Sequence, residues 1–338
     1  MVFADDKQVL GVSETINLVL EKNTELHIAK LELDNAKIEK QKREANNLIN
    51  QSYSSEIEAK LNLMRAQNQY YETQTGLIKE VLSKYAKVFL AKKDLEIKRK
   101  EKALERIKLD KIKAQLEQGY KNHLDLIEKM NKYNSAKFNL EQAKDDYYKL
   151  LRELKFIINE EKAENFKLQS LVEPQVWKVT DNKVLDTGFK NSLELEIKEK
   201  NIKLVQQELN KAQKLSTSKL DLEKLRNDLQ ISKLEKDNLE KDLKNSLHAN
   251  FYDFKEAVNQ LELRKATLNK IKQNYETVSR KEAKGLASEE ELLAAEVQLL
   301  QGRYDYQSAI VNYYSQQLKL KSAMRLEVEG LIDDLIQK

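Results

Sequence analysis

The chain has 338 residues, 34% of them charged and 40% hydrophobic, with seven glycines, one proline and no cysteine. Sixty basic and 56 acidic side chains leave a formal net charge of +4, finely interspersed as on solvated helix faces with i,i+4 pairs. So few chain breakers exclude a compact α/β enzyme and imply long helices that bury narrow seams, in an elongated molecule without a large central core.

The absence of cysteine fits an extracytoplasmic setting. No apolar run approaches the ~20 residues that a membrane-spanning helix needs. Met1-Val2-Phe3-Ala4-Asp5-Asp6 holds no apolar signal core. It reads as a start codon on a mature secreted chain whose signal has been removed. Expected localisation is therefore the extracytoplasmic cell envelope.

Along the chain, Ser13-Glu14-Thr15 opens a first helix, and Asn23 (C-cap) and Thr24 (new N-cap) interrupt it. A second helix spans about residues 25–47, and a polar break follows at 50–55. Residues 56–118 contain only Gly76 as a weak breaker, predicting a rod of roughly 90 Å at 1.5 Å per residue. A helix over about 123–159 carries Leu126, Met130, Tyr133, Phe138, Leu140, Tyr147 and Leu151 as its packing face. Residues 160–191 differ in kind: they hold Pro174, Gly188 and the only tryptophan, Trp177, a packing anchor, with room for short extra helices. Further helices follow at about 192–213, 220–284 and 289–328, with a polar break at 216–218. Within the long one, Phe251, Phe254, Val258, Leu261, Leu268, Ile271, Tyr275 and Val278 form a seam of period near 3.5. No alternating strand pattern of useful length appears. The fold class is all-α, with three parts: 1–159 a helical-hairpin repeat, 160–191 a connector, and 192–338 a second repeat.

Two turns carry the duplication. Gly119-Tyr120-Lys121-Asn122-His123-Leu124-Asp125-Leu126 is matched 166 residues later by Gly285-Leu286-Ala287-Ser288-Glu289-Glu290-Glu291-Leu292. In each, glycine takes the positive φ that ends a helix. Asn122 or Ser288 then caps the next helix, with Asp125 or Glu291 completing a capping box. One such turn is common; two in equivalent places mark a duplicated hairpin.

This layout resembles the TolC family of outer-membrane efflux ducts over nearly the whole chain. Both turns fit that family's tip pattern, Gly-x-x-[Ser/Thr/Asn]-x-x-[Asp/Glu]-[Leu/Val]. Tyr85-Ala86-Lys87-Val88-Phe89 and Phe251-Tyr252-Asp253-Phe254 resemble its aromatic segments, and residues 299–306 its return helix. Residues 16–26 look like its opening segment, with Thr24 in place of the usual proline. The resemblance implies a homo-oligomer, a trimer by preference, closing a hollow α-barrel. It also implies a membrane-fusion adaptor and an inner-membrane transporter as partners, for efflux or type I secretion. Adaptor docking would fall on the tips: Gly119, Tyr120, Asn122, Asp125, Leu126, Gly285, Leu286, Ser288, Glu291 and Leu292. One departure is large. Family members place a β-hairpin between the first and long helices of each half, whereas residues 50–55 and 215–218 are too short for two strands of ~9–11 residues. No β-barrel crossing of a membrane is expected.

Asp125 and Glu291 could form a cation-favouring ring at the mouth of the duct. The plainer reading, an N3 carboxylate steadying a helix start, is preferred. The family's further acid one turn past the second tip is here Ala294. Tyr70-Tyr71, Tyr147-Tyr148 and Tyr313-Tyr314 are expected to straddle seams, one ring packed and one hydroxyl wet. His27, His123 and His248 lack the spacing of a metal site. Neither a nucleophile elbow nor a phosphate-binding glycine loop is present, so no catalysis and no cofactor are expected. The basic-leaning run 98–113 contains Glu101, Glu105 and Asp110 and reads as a solvated face, not a nucleic-acid site. The rival reading is a coiled-coil tether or scaffold of the envelope, without a lumen.

Overall fold

A computed structural model describes residues 8–50, 53–159, 166–215 and 217–327. The N-terminal segment 1–6 and the expected helix end at 328 lie outside them, as do parts of the two polar breaks and of the connector.

Strand β1 (Gln8–Leu10) leads into α1 (Val12–Lys22). The first helix begins at Val12 behind Gly11, one residue before the Ser13 start expected from the sequence. Val12, Ile16 and Val19 fall on one face and are buried. Asn23 ends this helix and starts the next, α2 (Thr24–Asn50), because its Oδ1 accepts the amide of Leu26 at 2.8 Å. Asn23 therefore serves as the cap, and Thr24 is already helical. Then α3 (Tyr53–Glu117) runs unbroken through Gly76 for 65 residues, about 100 Å. The return helix α4 (His123–Ile157) stops two residues short of expectation, with Asn159 at φ 54°.

The connector holds β2 (Phe166–Leu168) and α5 (Asp181–Asn191). Ser192 ends α5 and caps α6 (Leu193–Lys214), its Oγ accepting the Leu195 amide at 3.3 Å. The second long helix, α7 (Lys219–Glu282), starts behind the cap Ser218, and α8 (Glu289–Ala323) returns from it. That last helix is shorter than expected, because Arg325 takes φ 53° just beyond the Met324 cap.

The helices form a layer four wide. On the tip side of the waist the order is α4–α3–α8–α7, and on the other side α2–α3–α6–α7. Polar pairs fix the neighbours. Asn47 donates to Glu56 across α2 and α3 at 3.1 Å, and Lys198 pairs with Glu235 across α6 and α7 at 2.7 Å. Lys100 pairs with Glu296 across α3 and α8 at 2.9 Å.

Burial concentrates at the waist, where a second layer crosses the helices. Strands β1 and β2 pair in parallel there, Val9 opposite Lys167, an element too short to carry a sequence period. Tyr85 of α3 is fully buried, its hydroxyl 2.9 and 2.7 Å from the carbonyls of Leu10 and Gln169. On α8, Tyr313 accepts the Trp177 amide at 2.9 Å and Tyr314 donates to the Val172 carbonyl at 3.2 Å. Trp177 stacks at a tilt on Phe254, which meets Tyr313 in turn. The thin-seam expectation thus holds toward the ends and fails at the waist. Tyr313 and Tyr314 are both buried rather than split between seam and water, whereas Tyr148 is exposed beside half-buried Tyr147.

Candidate functional site: the two helical tips

Each hairpin closes with the same hydrogen bonds, offset by 166 residues. Gly119 N–H donates to the Leu116 carbonyl (3.0 Å) and Tyr120 N–H to that of Gln115 (2.8 Å). Gly285 donates to Glu282 (2.8 Å) and Leu286 to Lys281 (2.8 Å). This pair of bonds satisfies two carbonyls that the helix end leaves open, and it requires the left-handed backbone at glycine, φ 77° and 70°. A Cβ at either glycine would meet nothing within 4 Å, so conformation and not space selects the residue.

The next helix starts in an equally matched way. Asn122 Oδ1 accepts the Asp125 amide at 2.9 Å, while Asp125 Oδ2 accepts the Asn122 amide at 3.2 Å. At the second tip Ser288 Oγ accepts the Glu291 amide at 3.2 Å, and Glu291 accepts the Ser288 amide at 2.8 Å. Those bonds, chiefly from the Ser288 amide and hydroxyl, hold the Glu291 carboxyl below its ordinary range. Asp125 also lies 3.8 Å from Lys121. Both acids thus hydrogen-bond within their own tips.

Large apolar side chains stand exposed at both tips among polar ones. Tyr120 and Leu286, at equivalent positions, are 77% and 73% exposed, and Leu126 and Leu292 sit half-buried one turn behind. The tips lie side by side, since Lys111 of α3 pairs with Glu290 of α8 at 2.8 Å. All ten residues singled out from the sequence therefore sit at one end of the molecule.

The layer's two long edges form a second feature, which the sequence reading passed over. On α4, the expected packing residue Phe138 is 68% exposed and Met130 is also exposed; small Ala136 and Ala143 take the close contact with α3. Ile28, Leu31 and Ile38 project from α2, and Ile231, Tyr252 and Leu263 from α7. Ile127 to Phe138 and Tyr252 to Leu263 are steps of 11 residues, close to three helical turns, so each pair returns to one line along its helix. That spacing was the available signal.

No protein-family model matches the sequence, and no curated protein matches it. The architecture, in contrast, has clear counterparts. The CmeC outer membrane channel of Campylobacter jejuni aligns with TM-score 0.64 at 11% identity, over 96% of this chain and 90% of CmeC. The outer membrane protein VceC of Vibrio cholerae aligns with TM-score 0.63 at 10% identity, over 93% and 95%. The chain has the TolC-type fold. The open state of the MtrE outer membrane channel of Neisseria gonorrhoeae aligns over all of this chain and 95% of MtrE, with TM-score 0.56 at 13% identity.

In this TolC-type chain the helical part stands without room for membrane strands. Two residues separate α2 from α3 and four separate α6 from α7, where strands of ~9–11 residues each would be needed. Among the described residues no helix is long and apolar enough to cross a membrane, and no cluster of three or more metal-ligating side chains occurs.

Proposed function

We propose that this chain is one subunit of a helical duct of the cell envelope, closed by copies of itself, a trimer by preference. Its tips would dock to a membrane-fusion adaptor that couples the duct to an inner-membrane transporter, for efflux or type I secretion. The observation that carries the reading is the pair of matched tips: one hydrogen-bond pattern, used twice, holding Tyr120 and Leu286 out at the same end. A backbone turn beside one exposed apolar side chain suits contact with the turns of other helical hairpins. The edges support closure. Apolar side chains on α2 and α4 along one side, and on α7 along the other, are left in water by a single copy and complement each other in a ring.

Electron microscopy with light scattering tests the reading. The expected result is a hollow cylinder about 100 Å long, the length of α3. A monomeric or dimeric solid rod would overturn the duct and leave the tether. That second reading is favoured by one feature, the missing strand pairs at the far end. Replacing both tips with plain Gly-Ser turns separates the two: a duct loses adaptor binding and keeps its oligomer, while a tether is indifferent.

A further inference from the structure

A crevice of about 370 Å³ opens at the waist where the two hairpins and the connector meet, and no step in the duct reading uses it. Its walls are apolar: Phe89 of α3, Leu268 of α7 and Leu300 of α8. Phe89 and Leu268 are only 4% and 5% exposed, so the wall is part of the core and not a surface scuff.

The rim is cationic out of proportion to its acids. Lys93 pairs with Glu96 at 3.2 Å, which neutralises both. Lys272 and Arg303, also on the rim, form no ion pair among the described residues. Glu173, whose carboxyl feels Lys272 at longer range, is already paired with Lys265. This leaves two cations without an ion-pair partner of their own over an apolar cleft. In addition, Gln307 lines the crevice with a side-chain oxygen that is buried and has no hydrogen-bond partner among the described residues. A buried amide left unpaired is costly. Rotating that amide half a turn puts its NH₂ at the same spot, so the group serves as a donor to an incoming acceptor.

We infer that the crevice binds an alkyl carboxylate, its chain against Phe89, Leu268 and Leu300 and its carboxylate between Lys272 and Arg303 with Gln307 as donor. Apolar walls with a few convergent polar groups at this volume are the ordinary make-up of a small-ligand site. A neutral amphiphile leaves the two cations unmet, and a cationic one adds like charge to them. Such a ligand touches α3 of the first hairpin and α7 and α8 of the second, so it ties the halves together at the waist. The inference stands whether or not the tips bind an adaptor.

Titration calorimetry of the full chain with dodecanoate, below its micelle concentration, tests it, with dodecyltrimethylammonium as the charge-reversed control. The expected result is one dodecanoate per chain, no saturable binding of the cation, and at least tenfold weaker dodecanoate binding in the Lys272→Ala/Arg303→Ala double variant. Both side chains are exposed, so the variant should keep the parent's helix content and melting temperature. Absence of saturable dodecanoate binding, equal binding of the two amphiphiles, or undiminished affinity in the folded double variant each overturns the inference. Microscopy of the ring is untouched by these results, so failure here and failure of the duct reading are told apart.

Discussion

Gly119 and Gly285 stand in open space with φ near +70°, so a methyl group costs them only backbone strain. Alanine at either position should lower stability by about 1–2 kcal/mol, the left-handed penalty, while asparagine should cost far less. Urea unfolding of the two substitutions at one site checks the order, and equal losses would point to a lost contact instead. Asn122→Ala should cost about 1 kcal/mol by removing the acceptor for the Asp125 amide, read in the same way. Glu291 adds a pH dependence with a definite sign. Its carboxyl titrates below its ordinary range in the folded protein, so its support of the α8 start is present above that range and is lost as pH falls through the depressed value. Protection of the amides at residues 288–291 against exchange, taken relative to the intrinsic rate, should therefore fall once pH drops below the ordinary carboxylate range, whereas a flat profile would remove the carboxylate from the cap. The tips were legible in sequence because everything that makes them is local. A glycine, a cap three residues on and an acid three beyond fix the geometry without help from the rest of the fold.

Two glycines that the sequence could not rank separate at the level of elements. Gly188 of α5 faces Leu247 of α7, and an added Cβ would lie 2.5 and 2.7 Å from its methyl carbons. Leu247 is fully buried, so it has nowhere to go. Gly302 of α8 faces the far ends of two side chains, Ile271 Cδ1 at 2.9 Å and Leu268 Cδ1 at 3.5 Å, which can turn aside. Gly188→Ala should therefore destabilise by about 1–2 kcal/mol even after a helix gain of ~1, while Gly302→Ala should come out near neutral. Thermal melts of the two variants decide it, and a loss at Gly302 equal to that at Gly188 would show that α7 and α8 cannot give. The waist was largely illegible for the opposite reason to the tips. Tyr85, Tyr313 and Tyr314 look like other seam aromatics until a connector more than 80 residues from the first, and some 140 from the others, supplies its carbonyls. Likewise β1 and β2 hold three residues each, and only their tertiary pairing makes them strands. Helix starts and stops at caps were read to within a few residues. The α8 end was not, since neither Met324 nor Arg325 carries a stop signal.

At the scale of the molecule, the number and lengths of the long helices followed from the scarcity of breakers, but their lateral order did not. Heptad seams say that a helix has partners without saying which. The open edges follow from that order and carry the last prediction. Ile127→Lys with Leu263→Lys changes residues that are 54% and 56% exposed, so circular dichroism should stay unchanged. Light scattering should nevertheless show smaller particles, because the lysines desolvate badly in a copy-to-copy contact. Assemblies of unchanged mass would move the contact elsewhere.

The Lys111–Glu290 pair has one more consequence, for length. It holds the two tips level, and levelness is a constraint on counting rather than on chemistry. Seven residues added to both α3 and α4 would keep every seam in phase yet push the first tip about 10 Å past its sibling. Helices of this kind can drift freely in sequence, but a change of length must be made in all four of α3, α4, α7 and α8 at once. The matched lengths of α3 and α7, 65 and 64 residues, and of α4 and α8, 35 each, read as the mark of that shared ruler.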